Sequence, residues 1–148
     1  MDAVNFFSKE QKALIKSAVQ EAELNTSGEI RVHIDNRCKE DVLDRAAWWF
    51  AKLNMHKTEK RNGVLFYLAV KDHKFAILGD GGINAVTAED FWDEIKEKML
   101  DHFKEGKFAE GLKEGILMAG EQLKEHFPYQ QDDVNELPDE ISFGGKES

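Results

Sequence analysis

The strongest constraint on the fold is an uninterrupted apolar run, VLFYLAV, from Val64 to Val70. Branched and aromatic side chains dominate the run, which is typical of a strand that is buried on both faces. The polar residues 71–73 that follow are few enough for a hairpin turn into a second strand, Lys74 to Leu78. A sheet containing such a central strand must carry helices on both of its faces.

Helical spacing of apolar residues marks the segments on either side of this hairpin. Residues 8–24 and 40–54 show it, and Ser8 with Gln11 forms a capping-box pattern. After the hairpin, Thr87 and Asp90 predict a capped helix that begins at Thr87. A last helix is predicted over residues 108–127, with Gly111 and Gly115 packed closely against the sheet.

Residues 29–35, EIRVHID, predict a further strand because apolar and polar side chains alternate along them. The polar positions Glu29, Arg31 and His33 indicate that one face of this strand is open to solvent or edge-like. A strand–helix–strand crossover is parallel and right-handed, whereas the hairpin adds an antiparallel strand. The fold class is therefore α/β, an α/β/α sandwich with a small mixed central sheet flanked by helices.

Length, charge and cysteine content narrow the class of protein. The chain has 148 residues, a net charge of −9 and one cysteine, Cys38, which we expect to be a free buried thiol. The acidic balance argues against nucleic acid and favours cations as ligands. No apolar run approaches the roughly 20 residues that span a bilayer, and the start lacks a signal-peptide pattern. We therefore expect a cytoplasmic monomer without a membrane partner.

The composition changes at Pro128, which divides the chain into residues 1–127 and a tail, 128–148. The tail contains both prolines and has six acidic residues against one basic residue. This composition predicts a mostly flexible segment. Within it, Ile141 and Phe143 have the spacing of a short edge strand that docks on the sheet.

Four segments of the chain resemble the TPM domain family. They are SGEIRVHI, RNGVLFYLAV, KFAILGDGGINAVTAEDF and FKEGKFAEGLKEGI, and the resemblance spans roughly residues 5–125. The family is named for a thylakoid lumen protein, a photosystem II repair protein and a nematode receptor-accessory protein. The resemblance implies an α/β/α sandwich and an acid-phosphatase activity that is assigned to a few plant members. In the family's glycine turn an aromatic residue is common, and Asp80 replaces it here.

The glycine turn, GDGGIN at residues 79–84, allows several interpretations. It nearly matches a dinucleotide-binding loop, but that loop follows a parallel strand and opens a helix at once. It also resembles the start of an EF-hand, which requires glycine at the sixth position and glutamate at the twelfth. Ala85 and Phe91 occupy those positions, so this interpretation is excluded. A plain turn and an oxygen-ligand cation site remain open.

The hairpin topology favours the cation site, because it brings the end of the third strand beside the start of the second. Oxygen ligands from two loops then converge with backbone carbonyls, a set suited to Ca²⁺ or alternatively Mg²⁺ and not to zinc. The predicted ligands are Asp80, Asn84, Gly82, Asn62, Glu59, Asp90 and Glu29. A second acidic edge, with Asp35, Asp41 and Asp72, lies at the opposite end and ranks lower because it lacks glycine carbonyls.

Three functions are compatible with this site. The first is a metal-responsive binding or regulatory module whose partners are divalent cations and a protein. The second is a metal-dependent phosphomonoesterase, in which Arg61 would clamp the phosphate. The third is a protein-interaction scaffold without metal. The five histidines show no metal-binding spacing and are expected to be scattered and exposed or half-buried, and a Cys38–His33 nucleophile pair lacks an orienting group.

Overall fold

A computed structural model describes residues 3–129 and 141–144 of the chain. It contains a mixed four-stranded sheet with the order β3-β2-β1-β4. The strands are β1 (Glu29–Asp35), β2 (Gly63–Ala69), β3 (Lys74–Gly79) and β4 (Ser142–Phe143). β1 is parallel to β2 and to β4, and β2 is antiparallel to β3. The predicted hairpin and parallel crossover are both confirmed.

Six helices accompany the sheet: α1 (Ala3–Phe6), α2 (Lys9–Glu23), α3 (Val42–Lys52), α4 (Gly81–Asn84), α5 (Asp93–Lys104) and α6 (Phe108–His126). A 3₁₀ turn, Met55–Lys57, follows α3. Ser8 and Gln11 form the predicted capping box of α2, and the Asp41 carboxylate caps α3. Each cap satisfies amide groups that a helix start leaves without an intrahelical partner.

The helices cover both faces of the sheet, so the predicted sandwich is confirmed. On one face, α2, α5 and α6 pack on the side chains of Ile30, Val64 and Phe66. On the other face, α3 packs on Leu65 and Tyr67. β2 lies between the two layers, and all seven of its residues are buried. The apolar run therefore occupies the central position that its composition predicts.

The prediction that β1 has one solvent-facing side is wrong. Only Arg31 is partly exposed in this strand, whereas Glu29, His33 and Asp35 are buried. The Trp49 indole of α3 stacks on the His33 ring, with 3.7 Å between ring centroids. β4 then pairs along the outer edge. Polar residues in an alternating strand are thus covered by tertiary neighbours that the local pattern does not contain.

The helix predicted from Thr87 begins six residues later, at Asp93. The Thr87 hydroxyl donates to the carbonyl of Ile83 at 2.9 Å, so it terminates α4 and caps no helix. Asp90 is exposed and lies in the turn before α5. The Thr87–Asp90 spacing therefore matches a capping box without forming one.

The tail contributes a fourth strand to the sheet. Ser142 and Phe143 pair with His33 and Ile34, and Ile141 packs beside them on the apolar core. The predicted docking of this edge segment is confirmed. The prediction that the tail is mostly flexible falls largely on residues outside the described ranges.

Candidate functional site

The end of β3 and the start of β2 meet at one edge of the sheet, as the hairpin topology requires. Gly79 pairs with Val64, and the Asp80 amide donates to the Gly63 carbonyl at 3.0 Å. Glu29 at the start of β1 pairs with Gly63. Two loops, residues 58–62 and 79–84, therefore lie side by side. We call them the paired loops.

Asp80 joins the paired loops through an ion pair with Arg61. The Arg61 Nε lies 2.8 Å from Oδ2 of Asp80, and Nη2 lies 2.9 Å from Oδ1. The Asp80 side chain is 5% exposed, whereas that of Arg61 is 55% exposed. The carboxylate also accepts a hydrogen bond from the Gly81 amide at 2.6 Å. Bidentate, charge-assisted hydrogen bonds of this type are stronger than hydrogen bonds between neutral groups.

The ion pair keeps Asp80 ionised. Burial by itself raises the pKa of a carboxyl group. Hydrogen bonds from Arg61 and the Gly81 amide, with the charge of Arg61, outweigh burial and hold the pKa of Asp80 below its ordinary value of 3.8. A buried carboxylate that is ionised at neutral pH can accept a cation, once its present partner has moved away.

Gly82 sets how closely the paired loops approach each other. Its amide donates to the Arg61 carbonyl at 2.8 Å. A Cβ atom on Gly82 would lie 2.2 Å from the Lys60 carbonyl oxygen and 2.5 Å from that of Arg61. Only glycine allows this contact. The carbonyls of the first loop are thereby held against the turn that carries Asp80.

Asn62 and Glu29 are buried behind the paired loops, with 1% and 3% of their surfaces exposed. The Asn62 carbonyl accepts a hydrogen bond from the Glu29 amide at 3.2 Å. The Asn62 side chain donates to the Ser27 hydroxyl over a long 3.5 Å. Their backbones therefore lie at the same edge of the sheet as Asp80.

Three other predicted ligands are exposed: Glu59, Asn84 and Asp90. The side-chain amide of Asn84 donates to the Gly79 carbonyl at 3.3 Å. Asn84 also lines an open cleft of about 210 Å³ with Thr87 and Glu89. The topology thus brings Asp80, Gly82, Asn62 and Glu29 to one edge, and Glu59, Asn84 and Asp90 are on the surface around it.

The predicted ligands at this edge offer carboxylate, amide and carbonyl oxygen atoms, which fits a hard cation. Within residues 3–129 and 141–144, however, no three His, Cys, Asp or Glu side chains are placed to hold a metal ion together. A cation would therefore depend on one buried carboxylate, amide oxygens and backbone carbonyls.

A second polar centre, which the sequence did not predict, lies under α3 at the opposite end of β1. His33 Nε2 is 3.0 Å from Oδ1 of Asp35. The other oxygen of Asp35 accepts from the Tyr67 hydroxyl at 2.6 Å and from the Trp49 indole at 3.0 Å. Nδ1 of His33 lies 2.7 Å from the Ser142 hydroxyl. We call these five residues the His33 network.

Protonation in the His33 network follows from burial and hydrogen bonding. Burial lowers the pKa of His33 further than Asp35 raises it. Burial raises the pKa of Asp35, but hydrogen bonds from His33, Tyr67 and Trp49 reverse the effect and leave it below the ordinary value. Burial and the bond to Asp35 also raise the pKa of Tyr67. Asp35 is therefore ionised, His33 is neutral, and Nε2 carries the proton.

The His33 network corrects two sequence expectations. His33 is completely buried, whereas exposed or half-buried histidines were predicted. The three acidic residues of the predicted second edge also have separate roles. Asp35 belongs to the network, Asp41 caps α3, and the Asp72 carboxylate accepts a hydrogen bond from the Cys38 amide at 2.7 Å. Cys38 is free and buried, as predicted. A signal for the network existed in the polar residues of β1, but the covering residues Trp49 and Ser142 are distant in sequence.

Comparison with protein families places most of the chain in one of them. A family model described as the TPM domain, with the label TPM phosphatase, matches residues 1–122. No curated protein is significantly similar in sequence. None of the helices within the described residues has the length and apolar character needed to cross a membrane.

Solved structures share the fold. The NMR structure of BA42 from the psychrophilic bacterium Bizionia argentinensis is 46% identical, covers 95% of this chain and 97% of its own, and has a TM-score of 0.90. An N-terminal domain from P. gingivalis is 19% identical, covers 85% of this chain and 82% of its own, and has a TM-score of 0.68. An N-terminal domain from Corynebacterium glutamicum is 11% identical, covers 95% and 82%, and has a TM-score of 0.66. The latter two show a shared fold alone.

Proposed function

The chain belongs to the TPM domain family, and from this premise we propose that it binds a divalent cation, Ca²⁺ in preference to Mg²⁺, at the paired loops. The observation that supports this most is the buried, ionised carboxylate of Asp80 beside a loop whose carbonyls Gly82 holds close. Ca²⁺ accepts irregular sets of carboxylate, amide and carbonyl oxygens more readily than Mg²⁺ does.

Arg61 is a resident counter-ion that the cation must displace. Its guanidinium occupies both oxygens of Asp80 in the present state. Because 55% of its side chain is exposed, it can swing into solvent without leaving a buried unpaired charge. Cation binding would then release one loop contact and reorder both loops, which is the behaviour of a metal-responsive binding module.

The proposal is tested by calorimetric titration of Ca²⁺ into three variants and the wild type. Asp80→Asn removes the charged ligand and is expected to abolish the binding heat. Arg61→Gln removes the competitor and is expected to tighten binding about tenfold, the equivalent of about 1.4 kcal/mol. Arg37→Gln is the matched control, because Arg37 pairs with Asp72 at the other end of the sheet with an N–O distance of 3.2 Å.

The four titrations distinguish a site at Asp80 from general attraction of cations to an acidic protein. Equal heats in the wild type and Asp80→Asn would place any binding elsewhere. Equal affinities in Arg61→Gln and the wild type would show that Arg61 does not compete. Arg37→Gln changes the net charge by the same amount as Arg61→Gln. Because Arg37 lies at the other end of the sheet, this variant is expected to bind Ca²⁺ like the wild type.

A metal-dependent phosphomonoesterase is the second candidate, and the exposed Arg61 guanidinium beside Asp80 favours it. Freed from Asp80 by a cation, Arg61 would bind a phosphate in bidentate fashion. The cation would supply charge stabilisation to the phosphoryl oxygens. Turnover of an aryl phosphate that Asp80→Asn and Arg61→Gln both abolish would support this function, and absence of turnover across Ca²⁺, Mg²⁺ and acidic to neutral pH would exclude it.

A further inference from the structure

The outer edge of β1 holds residues 141–144 as an extended segment. Ser142 and Phe143 pair in parallel with His33 and Ile34. The Gly144 amide then donates to the Ile34 carbonyl at 2.8 Å. Addition of a strand to a sheet edge is a common mode of peptide recognition, in which backbone bonds supply affinity and side-chain pockets supply specificity.

Successive side chains of this segment contact apolar and polar surroundings in turn. Ile141 and Phe143 are partly buried against the apolar core. The Lys12 ammonium lies 5.2 Å from the centre of the Phe143 ring. Ser142 lies between them in sequence and contacts the His33 network, where its hydroxyl donates to His33 Nδ1 across 2.7 Å. The edge therefore distinguishes apolar from hydroxyl positions.

The position after the phenylalanine admits only glycine. A Cβ atom on Gly144 would lie 1.9 Å from Oδ1 of Asp35. That carboxylate cannot turn aside, because Tyr67 and Trp49 hold its other oxygen at 2.6 Å and 3.0 Å. The buried polar centre thus gives the edge a strict size limit at one position.

Arg31 adds a charged position to the same edge. Its Nε is buried and has no hydrogen-bond partner in the described part of the structure. Arg31 lies two residues before His33 on the same face of β1. An extended ligand with an acidic side chain two residues before its serine would meet this guanidinium and satisfy it.

The order Ser142, His33 and Asp35 resembles the serine–histidine–acid arrangement of hydrolases. The His33 ring, however, is completely buried, and its two nitrogens are both occupied within the network. The Ser142 hydroxyl also lies 3.3 Å from the Val32 carbonyl. These contacts fix the position of the segment, which is a binding role.

We propose that the outer edge of β1 is a binding groove for an extended segment of a partner protein with the pattern acidic–apolar–serine–aromatic–glycine. Residues 141–144 of the chain occupy this groove in cis. Within residues 3–129 and 141–144, β4 pairs with two of the seven residues of β1, so a partner strand that pairs along the whole of β1 would form more backbone hydrogen bonds than this described segment does. This groove is independent of the cation site.

The test uses the full-length chain and the synthetic peptide DEISFGGKES, which copies residues 139–148 and carries a nitroxide at its first residue. Gly144→Ala is expected to displace the resident segment and accelerate amide exchange at Val32 and Ile34 at least about tenfold. The peptide is expected to bind this variant, restore protection and broaden the resonances of β1. In the wild type it should bind at least about tenfold more weakly, because the tethered segment competes at a high effective concentration.

Two controls accompany the test. Gly81→Ala introduces the same methyl group where nothing lies within 4 Å. The β1 amides of this variant should therefore be as well protected from exchange as those of the wild type. A peptide with alanine in place of its first glycine should bind neither chain.

Four results would overturn the proposal. The first is wild-type protection of β1 from amide exchange in Gly144→Ala, and the second is loss of protection that the peptide does not restore. The third applies if Gly144→Ala fails to fold: excess labelled peptide is then added to the wild type, and no broadening of the β1 resonances would contradict the proposal. The fourth is labelling of Ser142 by a fluorophosphonate, which would assign the His33 network to a hydrolase.

Discussion

Gly82 and Gly81 are adjacent residues that differ sharply in their surroundings. A methyl group on Gly82 would collide with the carbonyl oxygens of Lys60 and Arg61, whereas one on Gly81 would meet open space. We predict that Gly82→Ala lowers the free energy of unfolding by about 1–3 kcal/mol, since backbone atoms cannot yield easily. Gly81→Ala should change it by less than about 1 kcal/mol. Urea denaturation measures both, and equal losses would contradict the close approach of the paired loops.

His33 makes stability depend on pH in a defined direction. Its pKa in the folded state lies below the ordinary value of 6.5, so the unfolded chain takes up the proton first as pH falls. Stability should therefore decrease as pH drops below about 6.5, by at most about 1.4 kcal/mol per pH unit. Of the charged groups around His33, Asp35 raises its pKa, whereas Arg31 and Arg45 lower it in the same direction as burial, which is the largest effect.

The measurement is denaturation at pH 7.5, 6.5 and 5.5. His33→Gln is expected to flatten the dependence between pH 6.5 and 5.5. The exposed His126 provides the control, since His126→Gln should keep the wild-type slope. An unchanged slope in His33→Gln would show that His33 is not held in its neutral form.

For single residues, the sequence predicted which segments lie side by side better than it predicted which side chains bond to each other. The approach of Asp80 to residues 58–62 follows from the hairpin and was foreseen. The bidentate contact with Arg61 was not foreseen, and the backbone at Arg61 is left-handed, with φ 52°, which no local pattern marks. His33 was misjudged because its cover comes from Trp49 and Ser142.

Among the elements, α6 and its neighbours show the use of small residues most clearly. Gly120 faces α2, where an added Cβ would lie 2.7 Å from the Ala22 Cβ and 2.9 Å from its Cα. Gly115 faces the flexible Met99 side chain of α5, where an added Cβ would lie 2.4 Å from the Met99 sulfur. The predicted close packing is therefore chiefly between helices, with one sheet contact at Phe66.

These surroundings predict different costs for the same substitution. Gly120→Ala should destabilise the protein by about 1–2 kcal/mol, because overpacking against a helix backbone outweighs the gain in helix propensity. Gly115→Ala should be nearly neutral, since methionine adapts its conformation readily. Thermal denaturation of both variants checks this, and the reverse order would contradict the described α2–α6 contact.

The boundaries of an element were predictable where a single sequence pattern was sufficient to define it. β1 spans residues 29–35 as predicted, and β2 is shifted by one residue towards the N-terminus from its predicted range. α5 was misplaced because Thr87 and Asp90 have cap spacing, while the Thr87 hydroxyl instead bonds to Ile83. A side chain with two possible acceptors cannot be assigned from spacing alone.

The whole molecule combines an acidic charge with a sandwich whose two ends differ. One end carries the paired loops and the Asp80–Arg61 pair, and the other carries the His33 network and the docked tail segment. The sandwich was predictable because a fully apolar strand requires two covering layers. The buried polar centre was not, because it forms only when α3, β1, β2 and β4 assemble.

The central claim, cation binding at the paired loops, is tested most directly by titrating Ca²⁺ into the ¹⁵N-labelled full-length chain and recording backbone amide shifts. We predict saturable shifts confined to residues 58–62 and 79–90, with loss of those shifts in Asp80→Asn. The Arg61 side-chain resonance should move towards that of a free guanidinium as Asp80 is occupied. Shifts that are absent, or that fall instead on the acidic residues after 128, would contradict the claim.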